Sequence, residues 1–319
     1  MKNGIVKHFI QKNKRINSII IKYKEKEKHV SFGEENPNIT FFVIRRNAPD
    51  AGLFSFVVTN IGWMKYAIDK GYVPVIDMQY YYNTYITEED VGRVNSWEYY
   101  FKQPCGYSLE DIKKSKKVII SSISATEHNP NLMDNEICDW RFFSNEYLFF
   151  SNAVKCEIDK TEKELFCGDR VLGVLCRGTD YMAIRPHGHP VQPEPVDVIK
   201  KAKELLICNN CHKIFLATED MNIYEQFIDA FGSIILSSSS QRYLNTGKNT
   251  LNDISAQNES IALNPGKDKY KKGFDYAVTI GLLSRCNGLL AGKTSGTIGA
   301  VLLSKGYEFS YFFELGKYK

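Results

Sequence analysis

No stretch of the sequence approaches the roughly 18 unbroken apolar residues that a membrane span requires, and the N-terminus lacks the apolar core and small-residue cleavage site of a secretory signal. A cytoplasmic protein is therefore expected. A disulfide framework is missing too: the cysteines stand at 105, 138, 156, 167, 176, 208, 211 and 286, several inside apolar runs, the usage of reduced cysteines as small hydrophobes. Only Cys208 and Cys211 form a Cys-x-x-Cys, and His212 is too close in sequence to supply the second half of a zinc site, so no metal is expected. Excess charge is small. The 41 basic and 37 acidic residues leave +4, too little and too dispersed to call for a nucleic-acid partner. Internal repeats and low-complexity tracts are absent.

The residues present are those of an ordinary globular chain, 43 % hydrophobic and 24 % charged. The aromatic share, 13 %, is high and comes mainly from Phe and Tyr, which fill cores and also stack on sugar and base rings. Charge gathers in residues 1–30, where Lys2, Lys7, Lys12, Lys14, Arg15, Lys22, Lys24, Lys26 and Lys28 interleave with Ile5, Phe9, Ile16, Ile19 and Ile20. Two readings stand: a solvated surface helix, which is the more ordinary, and a helix lying on the inner face of an anionic membrane.

The chain then reads as strand Phe41–Arg46, helix Leu53–Lys70 and strand Val73–Met78, a parallel strand–helix–strand unit. Helical pieces at Trp97–Phe101, Leu109–Lys114 and Trp140–Phe150 surround a strand at Lys117–Ser122. Rising charge density at Asp159–Cys167 suggests a boundary between domains 1–165 and 166–319. The second half alternates regularly: strand Arg170–Cys176, helix Val196–Leu206, strand Lys213–Thr218, helix Ile223–Phe231 and strand Ser233–Leu236. A polar loop from Ser237 to Asp268 follows, then helix Gly273–Arg285, strand Gly288–Ala291 and helix Ser295–Ser304.

Polar residues collect where strands end, which is where ligands gather in parallel α/β sheets. After the strand Val171–Leu175 comes Cys176-Arg177-Gly178-Thr179-Asp180-Tyr181. The planar fork of Arg177 suits a diphosphate, and Asp180 can orient Arg177 or accept from sugar hydroxyls. The bland account is an Arg–Asp pair stapling a loop. After Ala291 comes Gly292-Lys293-Thr294-Ser295-Gly296-Thr297, with Ser295 as expected N-cap and small residues that let a phosphate approach the amides of a helix start. A Walker A loop is the rival reading, but it wants a Gly where Asn287 stands. A helix cap without ligand is the plain one. His187 and His189 lie on a Pro- and Gly-rich turn and offer a base near neutral pH. Glu219 and Asp220 follow the strand Lys213–Ala217, placed either to touch a nucleoside or to cap the next helix.

Taken together these pieces resemble the donor lobe of the GDP-fucose-dependent fucosyltransferases, the α1,6-, nodulation, protein O- and α1,2-enzymes. Arg177 falls on their diphosphate-binding arginine, His189-Pro190 follows Asp180 by the spacing of the α1,6 enzymes, and Phe215–Asp220 matches their strand ending in Ala-Thr-acid-Asp. Leu282–Asn287 followed by Thr294-Ser295-Gly296 looks like their last motif. The chain departs where their His is Leu175, their second Arg is Gly178, and their proposed basic carboxylate falls near Arg185. The resemblance implies an α/β fold of the GT-B kind, two Rossmann-like lobes with a cleft between them. It implies an inverting, metal-independent glycosyltransferase, with a GDP-sugar as donor substrate and no cofactor; the chain agrees in having no Asp-x-Asp. Donor contacts are then expected from Arg177, Asp180, Tyr181, Glu219, Asp220 and Lys293–Thr297, and a base from His187, His189 or, across the cleft, Asp50. A glycan or lipid-linked glycan is the expected acceptor. A nucleotide-sugar-binding protein without turnover, a P-loop-like phosphotransferase and a transferase using another GDP- or UDP-sugar remain the alternatives.

Overall fold

The computed structural model describes residues 26–122, 129–132, 136–178, 185, 187–238, 242 and 265–319, without the side chains of 265–267. The first sheet holds β1 (Lys28–Val30), β2 (Glu35–Ile44), β3 (Val73–Ile76) and β4 (Ser115–Ile120) in the order β1-β4-β2-β3. Strands β2, β3 and β4 run parallel, and β1 joins β4 antiparallel. Helix α1 (Leu53–Asp69) makes the crossover from β2 to β3, and Gly71 in the left-handed region (φ 73°) turns the chain after it. Most of its residues are buried, because α1 is covered by more than the sheet it belongs to. Short helices α2 (Trp97–Tyr100) and α3 (Leu109–Ile112) lie between β3 and β4, the latter closed by a reciprocal Ser108–Asp111 capping box.

Helices α4 (Ile137–Tyr147) and α5 (Asn152–Phe166) lead into a second, all-parallel sheet. It consists of β5 (Val171–Leu175), β6 (Lys213–Ala217), β7 (Ile235–Leu236), β8 (Gly288–Ala291) and β9 (Phe309–Phe312), ordered β7-β6-β5-β8-β9. Its helices are α6 (Pro195–Cys208), α7 (Met221–Phe231), α8 (Pro265–Leu283) and α9 (Ser295–Leu303).

The charge-dense stretch 159–166, where a domain boundary is expected, is the second half of α5, whose Val154, Ile158 and Phe166 are buried. Several expectations about the elements need correcting. Helix α4 ends at Tyr147; Phe150 instead pairs with Phe101 in an isolated bridge. Residues 232–234 form a 3-10 turn, leaving only 235–236 in β7. Helix α8 starts eight residues before the expected Gly273, at Pro265, and β1 and β9 lie outside the elements the sequence pattern indicates. The amphipathic reading of residues 1–30 falls almost wholly outside the described residues, as does most of the loop from Ser237 to Asp268.

The two sheets share one apolar core. Phe42, Phe54, Ile61 and Trp97 from the first half belong to the same cluster as Phe215, Leu289 and Ala300 from the second. Helix α9 packs on both α1 and α4. At the α1–α9 crossing a Cβ on Gly299 would stand 2.1 Å from the Phe54 ring, so the helices meet flush. Among the described residues no helix is long and apolar enough to cross a membrane.

Candidate active site

The register of the second sheet places Leu175, Ala217 and Ala291 side by side, so the segments that follow β5, β6 and β8 emerge on one edge. From β5 the chain proceeds outward through β6 to β7, then returns to β8 on the other side of β5 and continues to β9. The switch point between β5 and β8 is the crevice in which such sheets hold nucleotides. Arg177 stands at one side of it and the loop 292–297 at the other.

The loop 292–297 is built differently from expectation. Thr294, not Ser295, is the N-cap: its Oγ1 accepts from Thr297 N–H at 3.1 Å, with extended backbone at 294, and Ser295 is already helical. The Thr297 hydroxyl donates to Gly292 O at 2.6 Å, which leaves the Thr294 hydroxyl to donate to Thr297 Oγ1 at 2.9 Å. Both threonines are buried, so they hold the turn's shape from within. Ser295, half-buried, and the backbone of Gly296 form the first turn that faces the crevice. Lys293 Nζ donates to Glu314 Oε1 at 2.7 Å.

On the other side, Arg177 Nε lies 3.6 Å from Glu219 Oε1, each side chain about one-fifth exposed. The same carboxylate oxygen accepts from Gly178 N–H at 3.3 Å. Asp220 is buried and caps α7, its Oδ1 accepting from Asn222 N–H at 2.9 Å and Ile223 N–H at 3.2 Å. The sequence left Asp220 a choice between nucleoside contact and cap, and the structure gives it the cap. A Cβ on Gly178 would come within 2.5 Å of Asp220 Oδ2, so the loop can pass the cap only with glycine there. Asp180 and Tyr181 lie outside the described residues.

His187 and His189 are exposed on a loop held by the end of the chain. Gly188 N–H donates to Tyr318 O, Tyr318 N–H to His189 O and Val191 N–H to Gly316 O, at 2.9, 2.9 and 3.0 Å. Gln192, buried, ties this loop to the next by donating to Pro190 O and Lys293 O at 3.1 and 3.2 Å. From the first lobe, Asp50 is exposed in the turn between β2 and α1.

Among the described residues no group of His, Cys, Asp and Glu is placed to hold a metal ion. No protein-family model matches the sequence, and comparison with curated proteins finds no match. Solved structures do match in shape. The fucosyltransferase NodZ from Bradyrhizobium superposes with a TM-score of 0.52 at 14 % identity, covering 83 % of this chain and 94 % of its own. NodZ α1,6-fucosyltransferase crystallised with GDP gives 0.52 at 13 %, covering 83 % and 93 %. A FUT1 variant of Arabidopsis thaliana in complex with GDP gives 0.50 at 8 %, covering 86 % and 70 %.

The chain has the GT-B fold of these fucosyltransferases. At such identities the likeness is one of architecture: two sheets of mainly parallel strands with helices about them.

The first lobe adds residues to this cleft that the sequence did not single out. Arg45 Nε donates to buried Asp77 Oδ2 at 2.6 Å, and its guanidinium lies 4.0 Å from the centre of the Tyr80 ring. Asp77 Oδ1 accepts from Gln79 and Tyr80 N–H, both at 3.1 Å, fixing the turn that presents Tyr80 to solvent. Tyr85 is buried in the core beside the start of α1. Burial pushes the Tyr85 pKa up; nearby Tyr276 adds to this, while the Leu53 N–H and Arg177 pull the other way. Arg45 and Asp77 each directly follow a strand, a signal the sequence did carry. Tyr276 sits mid-helix in an apolar run, where nothing distinguishes it from a core aromatic.

Proposed function

We propose that the chain is an inverting, metal-independent glycosyltransferase that moves fucose or a related sugar from a GDP-sugar to a glycan. The observation that carries this reading is the convergence of Arg177 and the first turn of α9 on the switch point between β5 and β8. A nucleoside diphosphate bound there meets a guanidinium fork on one side and helix-start amides on the other. When the bond between the anomeric carbon and the phosphate oxygen breaks, the electron pair leaves with the diphosphate. Both groups are already in place for the charge that develops. The acceptor oxygen attacks from the opposite face, and its proton passes to Asp50, His187 or His189, each exposed on a loop. In this reading residues 1–165 serve the acceptor and 166–319 the donor. The basic residues 1–30 bring a cytoplasmic enzyme to lipid-linked acceptors at the inner membrane face.

Binding and slow hydrolysis of a nucleotide-sugar panel, with and without EDTA, test the reading on the wild-type chain and Arg177→Ala. The expected result is EDTA-insensitive binding of GDP-fucose or another GDP-sugar, weakened at least tenfold by Arg177→Ala. A preference for Mg²⁺-ATP, or no nucleotide binding at all, overturns it.

A further inference from the structure

A side chain from α8, Tyr276, touches the first turns of both α1 and α9. A Cβ built on Gly296 would lie 2.3 Å from the Tyr276 hydroxyl oxygen. That oxygen therefore occupies the volume directly over the first turn of α9, and residue 296 has to be glycine for it to remain there. The ring is held from the other lobe. Phe54 meets it edge-on, with centroids 5.5 Å apart and planes at 89°, and Phe54 is itself pressed on Gly299. Tyr85, buried, brings a second phenol from the first lobe whose titration responds to both Tyr276 and Arg177. The Tyr276 hydroxyl thus sits against the first turn of α9, on the side of the sheet edge from which Arg177 follows β5.

Such a pair suits a ligand that offers many acceptor oxygens and carries negative charge. A phenol is neutral and a donor at physiological pH, and a hydrogen bond from it to an ionised oxygen is stronger than one between neutral partners. Clamping between Phe54 and α9 means that Tyr276 gives up little freedom when it makes that bond. We propose that Tyr276 is a leaving-group contact, its hydroxyl donating to a phosphate oxygen of the nucleoside diphosphate alongside Arg177. The assignment rests on the donor-site reading above and adds the residue that reads the phosphate oxygens rather than the nucleoside.

Tyr276→Phe removes one oxygen and keeps the ring against Phe54. Titration of the full-length wild-type chain and this variant with GDP, and saturation-transfer NMR with guanosine, are the measurements. The expected result is a loss of about tenfold or more in GDP affinity, guanosine binding unchanged and the melting temperature unchanged. Gly296→Ala, which drives the hydroxyl from its place, is expected to show the same GDP loss. Unaltered GDP affinity in Tyr276→Phe overturns the assignment while leaving the donor site intact, and so does an equal loss for guanosine. A wild-type chain that does not bind GDP overturns the donor-site reading itself, and this assignment with it.

Discussion

Gln192 and Lys293 are joined across the donor edge: the side-chain amide of Gln192 donates to the Lys293 carbonyl at 3.2 Å while also donating to Pro190 O. The loop carrying the histidines and the loop opening α9 are therefore one mechanical piece. Gln192→Ala strips both carbonyls of a buried partner and is expected to lower stability by about 1–3 kcal/mol. Thermal melting checks it, and a melting temperature equal to wild type would show that the two loops are held together by other contacts.

Gly178 is pressed against the cap of α7. Ala at 178 would put its methyl 2.5 Å from Asp220 Oδ2 and 2.7 Å from Ile223 Cδ1, so the cap must yield or the Arg177 loop must move. Gly178→Ala is expected to cost about 1–3 kcal/mol in urea denaturation and to weaken donor binding. Asp220→Asn, which keeps an oxygen for the cap, should be milder than Asp220→Ala, which forfeits about 1 kcal/mol or more.

The α1–α9 crossing gives a purely steric test. With 2.1 Å between a Cβ at 299 and the Phe54 ring, Gly299→Ala is expected to destabilise by about 1–3 kcal/mol. Pairing it with Phe54→Leu, which frees space at the same point, should recover part of the loss in a double-mutant cycle.

Alkaline titration reads the buried phenols. Burial raises the pKa of Tyr85, Tyr100 and Tyr307 above the ordinary value of 10.0. Each favours the protonated form in the folded chain, so its contribution is complete below the unfolded pKa and is lost as pH rises from there through the folded value. Stability should therefore fall above about pH 10, with part of the tyrosinate absorbance appearing only as the circular dichroism of the fold disappears.

How much of this was legible in the sequence depends on whether a residue's meaning is local. Gly288–Ala291 and Leu53–Asp69 could be read because a short apolar run and a long one each announce their period. Arg177 could be read because it directly follows a buried strand. Helix α5 is hard to read in the sequence, because charged residues crowd the stretch where a domain boundary is expected and only Val154, Ile158 and Phe166 mark the inner side. Strand β9 was missed because four residues at a sheet edge, half exposed, leave almost no pattern. The N-cap slipped by one residue, from Ser295 to Thr294, because both side chains can cap and only the buried Thr297 hydroxyl decides between them. Tyr276 and Tyr85 acquire their meaning from the opposite lobe, a relation that no local window contains.

Glycine at 299 leaves no side chain to act as a spacer, and its neighbour Phe54 is the residue that clamps Tyr276. Parting α1 from α9 would empty a void against an aromatic face, so the two halves are less a pair of jaws than the sides of a mortised slot.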